Sequence, residues 1–212
     1  ANTLKYIGVT TSANFGNMVS MALATPLLPF LPLAAKQILL NNFLSDLPSI
    51  TISSDRVDPE RLAKAQHWDV HDLRRYMLVF GLTSTVFDLL TFGLLLKVFD
   101  AGEAEFQTAW FVVSLLTELV VLLVLRTHLP AWRSRPGTLL WTSTLGVAVL
   151  AVALPYSGAA ARLFGMVPLP GLLLGSLLGV VLAYAGATEV VKQRFHARPA
   201  RRRRAPRPRH RP

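Results

Sequence analysis

Long apolar runs, separated by short blocks of charged residues, constrain this chain more than any other feature of its sequence. Hydrophobic residues make up 52% of the 212 residues and charged residues only 16%, whereas a soluble domain carries roughly a quarter charged residues. The apolar residues are concentrated in runs long enough to cross a bilayer, which takes about 20 residues. The sequence therefore predicts an all-α membrane protein that crosses the bilayer several times.

Six runs reach that length, and together they predict a bundle of six transmembrane helices. Residues 1–190 form this transmembrane domain, with spans at about 11–33, 37–54, 77–99, 109–126, 138–156 and 166–188. The proline series in "TPLLPFLP" is expected to kink and then end the first span. The second span is the most polar of the six, and Pro48 interrupts it.

The distribution of basic residues predicts the orientation of the bundle. Of the 22 Lys and Arg residues, 19 lie before the first span, in the second and fourth loops or in the tail, and the other three are Lys36, Lys97 and Arg162. Because basic residues collect on the cytoplasmic side of membrane proteins, both termini are predicted to be cytoplasmic. Residues 191–212 then form a basic cytoplasmic tail, which its composition predicts to be disordered.

Two roles are equally favoured for this tail, which ends in "RFHARPARRRRAPRPRHRP". It can act as a signal that retains the C-terminus in the cytoplasm, or it can bind anionic lipids at about 1 kcal/mol per basic residue near the surface. Nucleic-acid binding is the less favoured alternative, because the tail follows directly on a membrane span.

Polar residues in the first two spans suggest a cation site. Asn42, Ser45 and Asp46, in "LLNNFLSDLPSI", share one face of a helix, and Asn14 and Asn17 are three residues apart in the first span. A carboxylate with amide and hydroxyl groups on its own face is typical of a site for a hard cation, and several oxygen ligands suit magnesium or calcium. The chain has no cysteine, so a thiolate site is excluded.

Two further acids lie within predicted spans, Asp88 in the third and Glu118 in the fourth. An ionisable side chain at mid-membrane costs roughly 2.5–3.5 kcal/mol on insertion scales, so such residues are functional candidates. For Asp88, a structural role as a helix cap or a partner of a neighbouring backbone is slightly favoured. For Glu118 the residues leave three roles open: an ion ligand, a proton carrier or a protonated structural acid.

Several stretches, taken together, match the pattern of one family of membrane proteins. They are "NTLKYI" at 2–7, "ANFGN" at 13–17, "NFLSD" at 42–46, "SDRVDPE", "KAQHWD", "RRYMLVFGLTSTVFDLLTF" and "WFVVSLLTELVVLLVLRT". In this order they resemble the stalk, the fifth and sixth helices, the following loop, and the seventh and eighth helices of P-type cation-transporting ATPases. The bacterial magnesium-importing subclass is the most similar, and the resemblance covers nearly all of residues 2–195. "NFLSD" is similar to the Asn-x-x-Thr-Asp cation site of the sixth helix, with Ser45 in place of Thr.

The resemblance implies a set of ligands for the transported ion, Mg²⁺. These are Asn14, Asn17, Asn42, Ser45 and Asp46, with Glu118 as a further candidate. Glu118 departs from the subclass, in which an amide is more common at this position, whereas calcium and sodium pumps use acids in that helix. No catalytic or cofactor-binding residue is predicted, because the Asp-Lys-Thr-Gly phosphorylation motif and a glycine-rich phosphate cradle are absent from this sequence.

The predicted function is therefore the cation-binding transmembrane portion of a magnesium-importing P-type ATPase in a bacterial plasma (inner) membrane. The chain is expected to be a fragment, a domain cut or a split gene product, whose partners are the lipid bilayer and the remainder of the pump. ATP would bind only in the full-length pump. By resemblance the chain is part of an ATP-driven ion pump, but alone it lacks the catalytic aspartate and the ATP site, so its standing as an enzyme is left open. The alternative is a non-enzymatic membrane scaffold or regulatory remnant of such a pump.

Overall fold

The computed structural model describes residues 2–52, 55 and 70–197. The helices are α1 (Asn2–Ala24), α2 (Ala35–Thr51), α3 (Val70–Lys97), α4 (Glu103–Leu125), α5 (Thr138–Ala153), α6 (Ala159–Phe164) and α7 (Gly171–Ala197). Short 3₁₀ turns lie at Ala131–Arg133 and Leu154–Tyr156. The described residues contain no β-strand, so the all-α prediction is confirmed.

Within the described part of the chain, four helices are long and apolar enough to cross a membrane. They are α3, α4, α5 with the turn that follows it, and α7. The first two predicted spans are not among them, because α2 has only 17 residues and α1 is rich in Asn, Ser and Thr. The chain thus has the helices of a multi-pass membrane protein, while the count of six spans and the position of the termini stay predictions.

The boundaries of the first two helices differ from the predicted spans. The first span was expected at 11–33, but α1 ends at Ala24, and the three prolines lie in the turns and bends that follow it. The second helix continues through Pro48 to Thr51. Residues 56–69 of the predicted loop between the second and third spans lie outside the described residues, as do residues 198–212 of the tail predicted at 191–212. The first residues of that predicted tail, 191–197, belong to α7.

Helix α4 lies at the centre of the bundle. Of its most apolar 18 residues 83% are buried, against 28–44% in the other three membrane-length helices, and it contacts α1, α2, α3, α5 and α7. Its apolar character alone does not fix this position, since in a bilayer a helix that is apolar on every side can face either lipid or protein. Phe92 of α3 packs against Phe106 and Trp110 of α4, with ring centroids 5.3 and 4.8 Å away.

Two glycines let α1 and α3 approach closely, as small residues do in membrane bundles. A Cβ atom on Gly16 would lie 2.9 Å from Ser84 Cβ and 3.0 Å from the Gly81 carbonyl oxygen. A Cβ atom on Gly81 would lie 2.5 Å from a ring carbon of Phe15. At the same place the Thr85 hydroxyl group of α3 donates a hydrogen bond to the Gly16 carbonyl oxygen of α1, 3.3 Å away.

We expect Gly16→Ala to destabilise the bundle by about 1–3 kcal/mol, because the added methyl group meets backbone and Cβ atoms that cannot rotate away. Gly93→Ala on α3 is the matched control, since nothing lies within 4 Å of its Cβ position. The control should be neutral or slightly stabilising, because alanine favours a helix over glycine. Thermal unfolding of the purified protein in detergent measures both. Equal melting temperatures for the two variants would contradict the close α1–α3 contact.

Buried ion pairs lie where the ends of α2, α4 and α7 meet. One joins the residue after the end of α2 to the end of α4, and the other lies within α7. Asp55, just after α2, lies 3.4 Å from Arg126 at the end of α4, and their side chains are 0% and 1% exposed. Asp55 also accepts a hydrogen bond from the Gly137 N–H at 2.9 Å, and Arg126 donates to the Ser134 carbonyl. Charge-assisted hydrogen bonds therefore fix the chain just beyond the end of α2, which lies about one and a half helical turns after Asp46.

The second ion pair is on α7. Lys192 lies 2.8 Å from Glu189, and its side chain is fully buried. Its ammonium group donates to the carbonyl oxygens of Val124 at 3.0 Å and Leu129 at 2.8 Å. Lys192 thus binds backbone carbonyl groups on both sides of Arg126 in the chain. The two ion pairs therefore stabilise the same end of the helix bundle.

Candidate cation site

A cavity of about 420 Å³ lies between α1, α2 and α4. It is lined by Asn14, Asn17, Met18, Met21, Leu33, Ile38, Asn41, Asn42, Ser45, Asp46, Trp110 and Ser114. The structure thus brings five of the six predicted ligands to one cavity, three from α2 and two from α1. Their role as ligands stays a prediction.

The five side chains differ in exposure. Ser45 is buried, Asn17 is half-buried, and Asn14, Asn42 and Asp46 are exposed. The hydroxyl group of Ser45 donates to the carbonyl oxygen of Asn42, 3.1 Å away on the same helix. The cavity therefore has a buried inner wall and an open side on which the Asp46 carboxylate lies.

Glu118, the sixth predicted ligand, is half-buried and is not among the residues that line the cavity. One of its carboxylate oxygens accepts a hydrogen bond from the side-chain amide of Asn41 at 3.3 Å, and its side chain also interacts with Ser45 and Asp46. Glu118 therefore lies next to Asn41 and Ser45 of α2 and close to the predicted ligands, outside the cavity lining.

Sequence reasoning missed three residues at this site: Asn41, Ser114 and Trp110. Asn41 is 3% exposed. Ser114 donates a hydrogen bond to the amide oxygen of Asn17 at 3.3 Å. A signal for Asn41 was present, because it lies four residues before Ser45 and so shares its helical face. Ser114 and Trp110 gave no comparable signal, since they lie in an apolar run.

Asp88 is 2% exposed and does not line the cavity. Its two carboxylate oxygens accept hydrogen bonds from the Ser20 hydroxyl at 2.5 Å and from the indole N–H of Trp110 at 3.1 Å. These bonds join α3 to α1 and α4. Both partners are side chains, not the helix end or the neighbouring backbone that the sequence suggested, and the role of Asp88 stays a prediction.

The groups on the cavity wall suit a hard cation that keeps part of its hydration shell. One carboxylate is accompanied by amide and hydroxyl oxygens, which are the ligands that Mg²⁺ and Ca²⁺ accept. At about 30 Å³ per water molecule, a cation with six waters needs roughly 200 Å³, which this cavity exceeds. Among the described residues no group of three or more His, Cys, Asp and Glu side chains could hold a metal ion, so neutral oxygens would supply most of the coordination.

Comparison with known families identifies the class of protein. The family described as "Cation transporting ATPase, C-terminus" matches residues 30–194. This match covers most of the chain, including α2 and the cavity residues on α2 and α4. The chain belongs to this family.

Among curated proteins, the chain is similar to bacterial magnesium pumps. It is 40% identical over 197 residues to "Magnesium-transporting ATPase, P-type 1" of Salmonella typhimurium (strain LT2), and 39% identical over 197 residues to the protein of that name in Escherichia coli (strain K12). Each match covers 91% of this chain and 22% of the relative. The chain thus spans about a fifth of the length of these relatives, and the predicted resemblance is confirmed.

Proposed function

We propose that this segment is the cation-binding transmembrane portion of a P-type ATPase that imports Mg²⁺ across a bacterial plasma membrane. The observation that carries the proposal is the cavity between α1, α2 and α4, in which one exposed carboxylate faces several neutral oxygens. Identity of 34–40% to magnesium-transporting ATPases supports magnesium as the ion.

Each of the five predicted ligands in the cavity then has a defined role. Asp46 supplies the fixed negative charge, and the side-chain oxygens of Asn14, Asn17, Asn42 and Ser45 replace water molecules around the ion. Mg²⁺ demands near-octahedral geometry and gives up its waters reluctantly. One carboxylate with neutral ligands therefore binds it loosely enough for release, as transport requires.

The remainder of the pump supplies what this segment lacks. ATP hydrolysis belongs to parts of the pump beyond this segment, which spans 22% of the length of its relatives. The open side of the cavity, at Asn14, Asn42 and Asp46, is where further membrane helices would complete the coordination. Both termini of the segment are placed in the cytoplasm, on the basis of the charge distribution.

A chimaera tests the proposal. In it, this segment replaces the matching segment of the E. coli relative, and the chimaera is produced in cells that lack their own magnesium importers. We expect uptake of external Mg²⁺ that external Ca²⁺ does not replace, whereas the relative without the segment should give none. The assay uses cells because ATP is used as its Mg²⁺ complex. Inside the cell this complex forms at any external Mg²⁺ concentration, so varying external Mg²⁺ tests only the transport site. A chimaera that inserts into the membrane without transporting Mg²⁺ would favour the scaffold alternative.

A further inference from the structure

Three residues on one face of α4 support the inner wall of the cavity. Trp110, Ser114 and Glu118 are spaced four residues apart, so they lie along one stripe of the helix. Ser114 bonds to Asn17 of α1, and Glu118 bonds to Asn41 of α2. Helix α4 therefore contacts an amide side chain from each of the two helices that carry the predicted ligands.

Only one of the two polar atoms of the Asn41 amide has a hydrogen-bond partner among the described residues. Its nitrogen donates to Glu118 at 3.3 Å, while its oxygen, in a side chain only 3% exposed, has no hydrogen-bond partner among the described residues. Buried polar atoms without a partner are rare in folded proteins and call for an explanation, such as an ion or an ordered water. Asn41 lines the cavity, which provides the place for such a partner.

The contact with Glu118 also determines which way the amide points. In its ionised form Glu118 only accepts hydrogen bonds, so it then selects the nitrogen end of the Asn41 side chain. The oxygen end then lies about 120° away, since amide nitrogen and oxygen diverge from one planar carbon. Glu118 is thereby able to orient Asn41 without touching an ion itself.

We propose that Asn41 is a further member of the cation site and that Glu118 is a positioning residue that acts through it. The Asn41 amide oxygen coordinates the cation, or accepts a hydrogen bond from a water molecule of its hydration shell. Glu118 holds the amide in the orientation that this contact requires. The inference rests on the proposed function. It replaces the direct ligation by Glu118 that the sequence suggested, because Glu118 bonds to Asn41 and is not among the residues that line the cavity.

The test measures Mg²⁺ uptake by the chimaera as a function of external Mg²⁺, separating half-saturation from maximal rate. Asn41→Leu removes the amide, and it should raise the half-saturation concentration roughly tenfold or more, as loss of a hydrogen-bond-type contact to a charged partner does. Glu118→Leu should have a similar effect. Glu118→Gln should lose several-fold less, because its amide oxygen still accepts from Asn41. The double variant of Asn41→Leu and Glu118→Leu should be no worse than either single variant.

Gln37→Leu is the matched control. It removes a fully buried amide one helical turn earlier on α2, whose nitrogen donates to the Phe164 carbonyl at 3.1 Å, away from the cavity. Its half-saturation should be normal even if stability falls. A second readout is the melting temperature of the purified protein with Mg²⁺ and without nucleotide. Mg²⁺ should raise the melting temperature of the chimaera and of its Gln37→Leu variant, and it should raise that of the Asn41→Leu variant much less. Asn41→Ser gives the same comparison should Asn41→Leu fail to insert.

The outcomes are separable. Normal half-saturation in Asn41→Leu, while Asp46→Asn is inactive, would overturn this inference and leave the proposed function standing. Effects that multiply in the double variant, with Glu118→Gln as damaging as Glu118→Leu, would show that Glu118 binds the ion itself. Normal transport in Asp46→Asn would instead refute the proposed function.

Discussion

Asp46→Asn should reduce Mg²⁺ uptake by the chimaera on the order of 100-fold or more. Asp46 is the one carboxylate among the cavity-lining side chains. Neutralising it leaves the bound cation without a negatively charged ligand, and the loss of one partner of a charge pair typically costs several kcal/mol of binding free energy. Asparagine keeps the shape of the side chain, so the loss would be electrostatic. The measurement is the initial rate of uptake across a range of external Mg²⁺.

Membrane insertion should not suffer, because a neutral amide costs less in lipid than an acid. The amount of chimaera in the membrane is therefore the control for this variant. Ser45→Ala should be milder, since it deletes one neutral ligand that a water molecule can replace. Uptake by Asp46→Asn at the normal rate and half-saturation would mean that the ion does not bind here.

Arg126→Met should have the largest effect on stability, a loss of about 3–5 kcal/mol, because it removes the guanidinium group that lies 3.4 Å from the buried Asp55 carboxylate. For a chain of this length that corresponds to a fall in melting temperature of roughly 10 °C. The side chains of the pair are 1% and 0% exposed, so water cannot replace the lost contact. Thermal unfolding of the purified segment in detergent measures the loss.

Two further variants separate a lost ion pair from a lost side chain. Arg133→Met removes an exposed arginine from the adjacent 3₁₀ turn, and it should change stability by no more than about 0.5 kcal/mol. Replacing Asp55 by Leu in addition to Arg126→Met should recover part of the loss, since a buried ion pair can often be replaced by apolar residues. Recovery should be incomplete, because Asp55 also accepts the Gly137 N–H. An Arg126→Met variant as stable as the parent would contradict the role assigned to this pair.

The fold class could be predicted from the sequence because apolar runs of membrane length have few alternatives to a helix. Helix ends were harder to place. The polar start of α1 gave no membrane signal, yet the helix extends through it from Asn2. The short helix α6, in the loop between the last two predicted spans, was not anticipated, because six residues carry little periodicity.

The candidate site was predictable where its residues share a helical face, as Asn42, Ser45 and Asp46 do. Contacts between distant residues were not. Asn41 and Glu118 are 77 positions apart in the chain, and only the packing of α2 against α4 reveals that one supports the other. Arg126 is a second example. From the sequence it counted only as one of the basic residues that indicate orientation, whereas the fold buries it against Asp55.

The central claim is that Mg²⁺ binds in the cavity between α1, α2 and α4. Equilibrium binding of radiolabelled Mg²⁺ to the purified chimaera without nucleotide tests it most directly, with Asp46→Asn and Gln37→Leu measured alongside. Saturable binding to the parent and to Gln37→Leu, together with its loss in Asp46→Asn, is the predicted result. Equal binding by the parent and Asp46→Asn would contradict the claim and place the ion elsewhere in the pump.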